Sequence, residues 1–246
     1  MARSQTRAVF LDAGNTLFTE RRPRAAIYAT VARAHGSRMS DADVADEMTR
    51  AHADLPASLE GCFRHSVAWF RIFNDRVLTA CGVSARRMPH ASEMLVKRFQ
   101  DPRTFRVFTE VPEVLASLAG RGVFVGIVSN WSEHLPELCK GLGIAENVRF
   151  ILTSAELRSE KPDRAIFERA MFRSGVPAEE TLHVGDNFER DVCGALSAGM
   201  RAAWLDRRGS VETGARDGVP VIHDLRGLPA LLDAAPAAAD SVAVAH

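Results

Sequence analysis

One stretch near the start of the chain, residues 8–18 (AVFLDAGNTLF), limits the possible folds more than any other. Ala8 to Leu11 form a short apolar run, which predicts a buried strand. The run ends at Asp12, and turn-forming or small polar residues follow it. A carboxylate at the carboxyl end of a buried strand lies where open α/β sheets place their reactive groups. Taken alone, this pattern is typical of a turn. Three later stretches of the sequence instead favour a functional role for Asp12.

The rest of the chain falls into two parts with different periodicity. Residues 19–105 show helical spacing without a strand pattern. Ser40 and Asp43 have the spacing of a capping box, and the segment from Phe63 to Leu78 carries an apolar stripe that ends at Gly82. From Val111 onward, helical patterns alternate with short apolar runs. Those runs predict strands at 123–128, 150–152, 181–184, 202–205 and 219–222, with a last helix near 228–232.

Strands separated by helices imply right-handed crossovers and a parallel sheet that is covered on both faces. The predicted fold class is therefore α/β, with the helical block of about four helices inserted after the first strand. We predict a core domain of residues 1–18 and 106–246 and an inserted helical domain of residues 19–105. Residues 234–246 contain few large apolar side chains and predict a flexible tail.

Charge, hydropathy and cysteine spacing argue against several classes of protein. The formal net charge of the 246 residues is zero, which does not favour nucleic-acid or membrane-surface binding. No apolar run approaches the length of a membrane span. The four cysteines lack the spacing of a metal knuckle or a redox pair. We therefore expect a cytoplasmic protein with free thiols. We expect the protein to be a monomer or a homodimer.

Polar groups follow the ends of three further predicted strands. They are Ser129 and Asn130 in GIVSNW, Lys161 in SEKPD, and Asp186 and Asp191 in LHVGDNFERD. Each alone fits a turn, a surface loop or a solvated helix. Because parallel strands bring their carboxyl ends to one rim, we expect these groups to meet Asp12 there. Carboxylates, a lysine and a hydroxyl together suit a divalent cation beside an oxyanion.

Each group has a chemical task in such a site. Asp12 can attack phosphorus and form an aspartyl-phosphate. Asp186, together with Asp12 and the carbonyl of Gly14, can hold Mg²⁺, which prefers oxygen ligands. Ser129, Asn130 and Lys161 can contact the phosphate, and Lys161 also neutralises charge. Asp191 and Thr16 are expected to support the site, and Asp191 is alternatively a direct metal ligand.

With these four stretches, the chain resembles the haloacid dehalogenase superfamily, whose motifs match DAGNT, VSN, SEKPD and HVGDNFERD. The resemblance covers Arg7 to about Leu232, and the helical block resembles the family's first type of cap. It implies a Rossmann-like core, a mobile helical lid and Mg²⁺-dependent phosphoryl chemistry. The SEKPD and HVGD segments are most similar to a branch of HDHD-like hydrolases.

The chain departs from the family pattern at Gly14. Phosphatases of the family carry DxDGT, and their second Asp protonates the leaving group and then activates water. Such acid–base help contributes about 10²–10⁴-fold, or about 3–5 kcal/mol of barrier. Dehalogenases, phosphonate hydrolases and cation pumps also lack this Asp. The intact GDNFERD segment argues against a dehalogenase. Phosphonate hydrolases use a cap lysine to form a Schiff base, and the helical block here offers only Lys97. Cation pumps need membrane helices, for which no apolar run in the sequence is long enough.

Two hypotheses from different classes remain. One is a Mg²⁺-dependent phosphatase for a small phosphorylated metabolite, either slow or supplied with an acid from the cap, for which His65 and Glu60 are candidates. The other is a non-catalytic protein that binds phosphate and metal. A 2-haloacid dehalogenase is the less favoured third reading of the same residues. The cap sequence does not identify the substrate.

Overall fold

The computed structural model describes residues 5–232, so the predicted tail at 234–246 lies outside the described residues. Its strands are β1 (Ala8–Leu11), β2 (Phe18–Glu20), β3 (Ser58–Leu59), β4 (Cys62–Phe63), β5 (Phe105–Val107), β6 (Phe124–Ser129), β7 (Phe150–Thr153), β8 (Thr181–Gly185), β9 (Arg201–Leu205), β10 (Gly214–Arg216) and β11 (Val219–Ile222). Its helices are α1 (Arg24–Ala34), α2 (Asp41–Asp54), α3 (Val67–Ala80), α4 (Met88–Gln100), α5 (Val111–Gly120), α6 (Leu135–Gly141), α7 (Ser154–Leu157), α8 (Arg164–Ser174), α9 (Gly194–Ser197) and α10 (Leu228–Leu232). A π-helical stretch, Phe188–Cys193, precedes α9.

Seven strands form the main sheet in the order β10-β11-β9-β8-β1-β6-β7. All neighbours are parallel except β10, which pairs antiparallel with β11 at the edge. The predicted α/β class with a mostly parallel sheet is confirmed. The edge strand β10 was not predicted, because its three residues are exposed and carry no apolar pattern.

The interior strand β1 is buried on both faces. Val9 and Leu11 belong to one apolar cluster, together with α5 residues such as Leu118. Ala8 and Phe10 belong to a second cluster on the opposite face, together with residues of α8 and α9. Helices on both faces explain why the strand sequences are continuous apolar runs rather than alternating patterns.

The helical insertion, defined here as residues 21–104, contains helices α1 to α4. The predicted capping box is present, because Ser40 accepts from the backbone N–H of Asp43 and Asp43 accepts from the backbone of Ser40. The strands β2 and β5 pair antiparallel, so the two chain segments that join the insertion to the sheet bind each other. The proposed division after residues 18 and 105 falls inside this ribbon.

The expectation of no strand between residues 19 and 105 was wrong. The ribbon occupies both ends of that range, and β3 and β4 form a small hairpin within it. Strands of two or three residues are too short to show an alternating pattern. Phe63 lies in β4, so the apolar stripe belongs to α3 only from Val67 onward, after the N-cap Ser66. Among residues 5–232, no helix combines the length and the apolar character that crossing a bilayer requires.

Candidate active site

The candidate site lies where β6, β1 and β8 end side by side. β1 pairs in parallel with both neighbours, so the three carboxyl ends open at one edge of the sheet. Asp12 directly follows β1, Ser129 is the last residue of β6, and Asp186 directly follows β8. Lys161 reaches the same edge from the loop between α7 and α8. The topology therefore brings together groups that are more than a hundred residues apart in sequence.

Lys161 is the centre of the hydrogen-bond network. Its Nζ donates to Oδ1 of Asp12 at 2.7 Å and to Oδ1 of Asp191 at 2.5 Å. Ser129 Oγ donates to the same Asp12 oxygen at 2.9 Å. Burial acts to lower the pKa of Lys161, but the charges of Asp12 and Asp191 outweigh it and raise the pKa. The lysine therefore stays positively charged although its side chain is buried.

Asp191 is engaged through both carboxylate oxygens. Besides Lys161, Oδ1 contacts His183 Nε2 at 3.0 Å, and Oδ2 accepts from the backbone N–H of Asn187 at 3.0 Å. Burial acts to raise the pKa of Asp191, but Lys161 and His183 hold it well below its usual range. A Cβ at Gly185 would lie 2.1 Å from Cγ of Asp191, so the strand approaches this carboxylate closely. These contacts favour a supporting role over direct metal binding.

His183 and Gly185 were missed by the sequence analysis as parts of this network. His183 is completely buried in β8, and burial is the main cause that lowers its pKa. The available signal was an ionisable residue inside an otherwise apolar strand, which requires a buried partner.

Asn130 lines the same cavity as the reacting groups, whereas Thr16 is not among the lining residues. The side chain of Asn130 accepts from the backbone N–H of Lys161 at 2.8 Å and donates to its carbonyl at 2.9 Å. It therefore holds the Lys161 loop in place. Thr16 is fully buried, and within residues 5–232 its hydroxyl has no hydrogen-bond partner. Its backbone carbonyl accepts from Arg207 at 2.7 Å.

Asp186 completes an acidic cluster that suits a cation. Oxygen atoms of Asp12, Asp186 and Asp191 lie within 4.8 Å of one another. Burial and the charges of Asp12 and Asp191 raise the pKa of Asp186 to about 7. Gly14 lines the same space, and in the described part of the chain its carbonyl accepts no hydrogen bond. This donor set consists of oxygen atoms, which fits Mg²⁺, and a cation would relieve the mutual repulsion of the carboxylates.

A cavity of about 890 Å³ lies above these groups, between the sheet edge and the helical insertion. Its floor includes Asp12, Ser129, Lys161 and Asp186. Its roof is largely apolar and includes Met48, Val67, Trp69, Phe70, Phe73, Val96 and Phe99. The site therefore has a charged floor and a largely aromatic cover.

The space beside Gly14 is occupied by Trp131, a residue that the sequence analysis missed. A Cβ at position 14 would lie 3.0 Å from Cζ3 of the indole. Of the two candidate acids from the cap sequence, His65 lines the cavity. Glu60 is exposed in the turn of the β3–β4 hairpin and is not among the lining residues.

Comparison with known proteins agrees with this architecture. Residues 74–205 match the family model described as haloacid dehalogenase-like hydrolase. Haloacid dehalogenase-like hydrolase domain-containing protein 3 from Mus musculus is 31% identical over 94% of each chain. The chain belongs to the haloacid dehalogenase-like hydrolase family, as the motifs predicted.

Two further similarities concern proteins with named activities. A phosphoserine phosphatase from Thermus thermophilus is 34% identical over 57% of each chain. The crystal structure of a 2-haloacid dehalogenase from Pseudomonas syringae superposes with a TM-score of 0.68 and 25% identity, covering 92% of this chain and 97% of that one. The structural match confirms the parallel sheet with its helical insertion.

Proposed function

We propose that this protein is a Mg²⁺-dependent phosphomonoester hydrolase whose nucleophile is Asp12. One observation carries the proposal: Oδ1 of Asp12 is held by Lys161 and Ser129, whereas Oδ2 accepts no hydrogen bond within residues 5–232. The free oxygen belongs to a residue that lines the cavity. The similarity to a phosphatase, although limited to 57% of the chain, supports phosphoryl chemistry.

The residues of this chain account for both halves of the reaction. Asp12 attacks phosphorus, the bond to the leaving oxygen breaks, and an aspartyl-phosphate forms. Water then attacks phosphorus, which releases phosphate and restores the carboxylate. The Lys161 ammonium has three donors, and two of them bind Asp12 and Asp191. The third is available for a phosphoryl oxygen, together with the Ser129 hydroxyl.

The oxygen donors that fit Mg²⁺ are Asp12, Asp186 and the carbonyl of Gly14. When bound, the ion neutralises charge on the phosphoryl group. Asp191 and Asn130 act as positioning residues, since the first anchors Lys161 and the second anchors the loop that carries it. We assign the chemistry to residues 1–18 and 106–246, and the cover over a small phosphorylated metabolite to residues 19–105.

Hydrolysis of p-nitrophenyl phosphate tests this proposal. We expect phosphate release that requires Mg²⁺, stops when the ion is chelated and is abolished in Asp12→Asn. Asp75→Asn, an exposed change on α3, serves as the control and should leave the rate unchanged.

Two other outcomes would overturn the proposal. Phosphate binding without turnover across a panel of phosphate esters would identify a non-catalytic binding protein, for which the Gly at position 14 is the supporting observation. Chloride release from 2-chloropropionate would identify a dehalogenase, the activity named for the similar structure.

A further inference from the structure

The proposed reaction leaves one proton without a donor. A leaving alkoxide needs a proton as its bond to phosphorus breaks, and Gly14 has no side chain to give one. Trp131 fills the adjacent space and has no acidic group that could serve. Another group that reaches the cavity must supply the proton if esters of ordinary alcohols are substrates.

The ionisable groups that line the cavity can be compared one by one. They are Asp12, Glu20, Arg24, His52, His65, Lys161, Asp186, Arg190 and Asp191. Four of them form the charged floor and are committed to the nucleophile, the cation site and their supports. Glu20 accepts from Nε of Arg24 at 2.8 Å, and arginines do not release their protons in proteins. The remaining candidates are His52 and His65.

His65 has the environment of a proton donor. Its Nε2 lies 3.3 Å from Oε2 of Glu160, whose other oxygen accepts from Arg64 at 3.0 Å. A carboxylate beside one imidazole nitrogen orients the ring through that atom. His65 also lines the cavity, and within residues 5–232 its Nδ1 has no hydrogen-bond partner.

His52 lacks this arrangement. In the described part of the chain, none of the acidic side chains lies within ion-pair distance of its ring. Its neighbours include the rings of His65 and Trp69, at centroid distances of 6.5 and 6.1 Å. Burial and the charge of Arg64 lower its pKa, which favours the neutral form.

Two features connect His65 to the nucleophile. Glu160 directly precedes Lys161, whose Nζ lies 2.7 Å from Asp12, so the partner of His65 and the partner of Asp12 share one loop. His65 also has a φ of +70°, a left-handed conformation that is rare for residues with a side chain. Such backbone strain concentrates at functional positions, and here it accompanies a side chain that lines the cavity.

We propose that His65 is the general acid for the leaving group and that Glu160 positions it. As the bond from Asp12 to phosphorus forms and the ester bond breaks, the proton on Nδ1 of His65 passes to the departing oxygen. The neutral imidazole then accepts a proton from the water that attacks the aspartyl-phosphate, which restores the acid. This inference rests on the proposed phosphatase function.

Two aromatic phosphate esters of similar size test this role, because only one of them has a leaving group that needs a proton. p-Nitrophenyl phosphate releases an anion that needs no proton, whereas 2-phenylethyl phosphate releases an alkoxide that does. The variant is His65→Asn, because Asn tolerates the left-handed backbone. We expect kcat/KM for 2-phenylethyl phosphate to fall about 10²–10⁴-fold and kcat/KM for p-nitrophenyl phosphate to stay nearly unchanged. Glu160→Gln should show the same substrate selectivity in weaker form.

His52→Asn is the matched control and should alter both substrates alike. Unchanged thermal unfolding of His65→Asn verifies that the variant folds. The assignment would be overturned if His65→Asn lowered kcat/KM equally for both esters, or lowered it for neither. It would also be overturned if the unaltered protein did not hydrolyse the alkyl ester. Absence of any Mg²⁺-dependent hydrolysis of p-nitrophenyl phosphate would instead remove the proposed function, and the assignment with it.

Discussion

Cζ3 of the Trp131 indole lies 3.0 Å from the position that a Cβ would take at Gly14, which is closer than an ordinary van der Waals contact. The indole is packed edge-on against Phe18 and Phe105, at centroid distances of 5.6 and 6.1 Å. The guanidinium of Arg24 lies 5.9 Å from its ring centroid. A side chain at position 14 therefore requires this packed indole to shift.

This relationship predicts how a second carboxylate at position 14 would behave. Gly14→Asp alone should raise turnover little, because the indole crowds the new side chain. In a Trp131→Ala background the carboxylate has room, and we expect kcat/KM for alkyl phosphates to rise toward about 10²-fold. Trp131→Ala alone is the control for lost packing. An equally large gain from Gly14→Asp alone would contradict this explanation.

Lys161→Met should remove both activity and stability. The change leaves Asp12 and Asp191 buried without their shared cation, which costs about 3–5 kcal/mol of unfolding free energy. Loss of charge stabilisation should lower kcat by about 10²–10³-fold. Urea denaturation and steady-state kinetics measure the two effects. Lys140→Met, an exposed change on α6, should stay within about 0.5 kcal/mol.

Gly185→Ala should destabilise the protein through a single methyl group. The new Cβ would lie 2.1 Å from Cγ of Asp191, so the carboxylate must move away from its partners Lys161 and His183. We expect a loss of about 1–3 kcal/mol in unfolding free energy, together with reduced turnover. Gly120→Ala at the end of α5 is the control, because nothing lies within 4 Å of its Cβ position. Equal stability of the two variants would refute the close approach at position 185.

The stabilisation that the folded state gains from the contact of Glu160 with Arg64 and His65 should depend on pH. Burial acts to raise the pKa of Glu160, but the neighbouring His65 and Arg64 outweigh it and lower the pKa. A carboxyl group whose pKa is lowered on folding stabilises the folded state above its unfolded pKa of about 4.3. That contribution is lost as the pH falls through the lowered value.

The free energy of unfolding of the unaltered protein should therefore exceed that of Glu160→Gln near neutral pH, and the gap should close below about pH 4. Urea denaturation at a series of pH values measures the gap. Glu156→Gln is the comparison, because the Glu156 carboxylate accepts from the Thr153 hydroxyl. A gap for Glu160→Gln that persists unchanged into acid would show that the contact is not electrostatic.

Local sequence patterns determined the sheet and its reactive edge. Apolar runs that end in Asp12, Ser129 and Asp186 predicted buried parallel strands with polar groups at their carboxyl ends. Such patterns suffice because burial on both faces requires apolar residues throughout, and parallel pairing brings the strand ends together. The family motifs are readable for the same reason, since each lies within a single strand end or loop.

Tertiary structure alone decided how the groups at that edge are surrounded. Three contacts depend on how separate strands, loops and helices approach one another: Trp131 with Gly14, Glu160 with His65, and Asp191 with Gly185. The short strands β2, β5 and β10 likewise exist because of their pairing partners and not because of their own pattern. Contacts of this kind leave no periodic trace in the chain, because their energy comes from packing between segments that are distant in sequence.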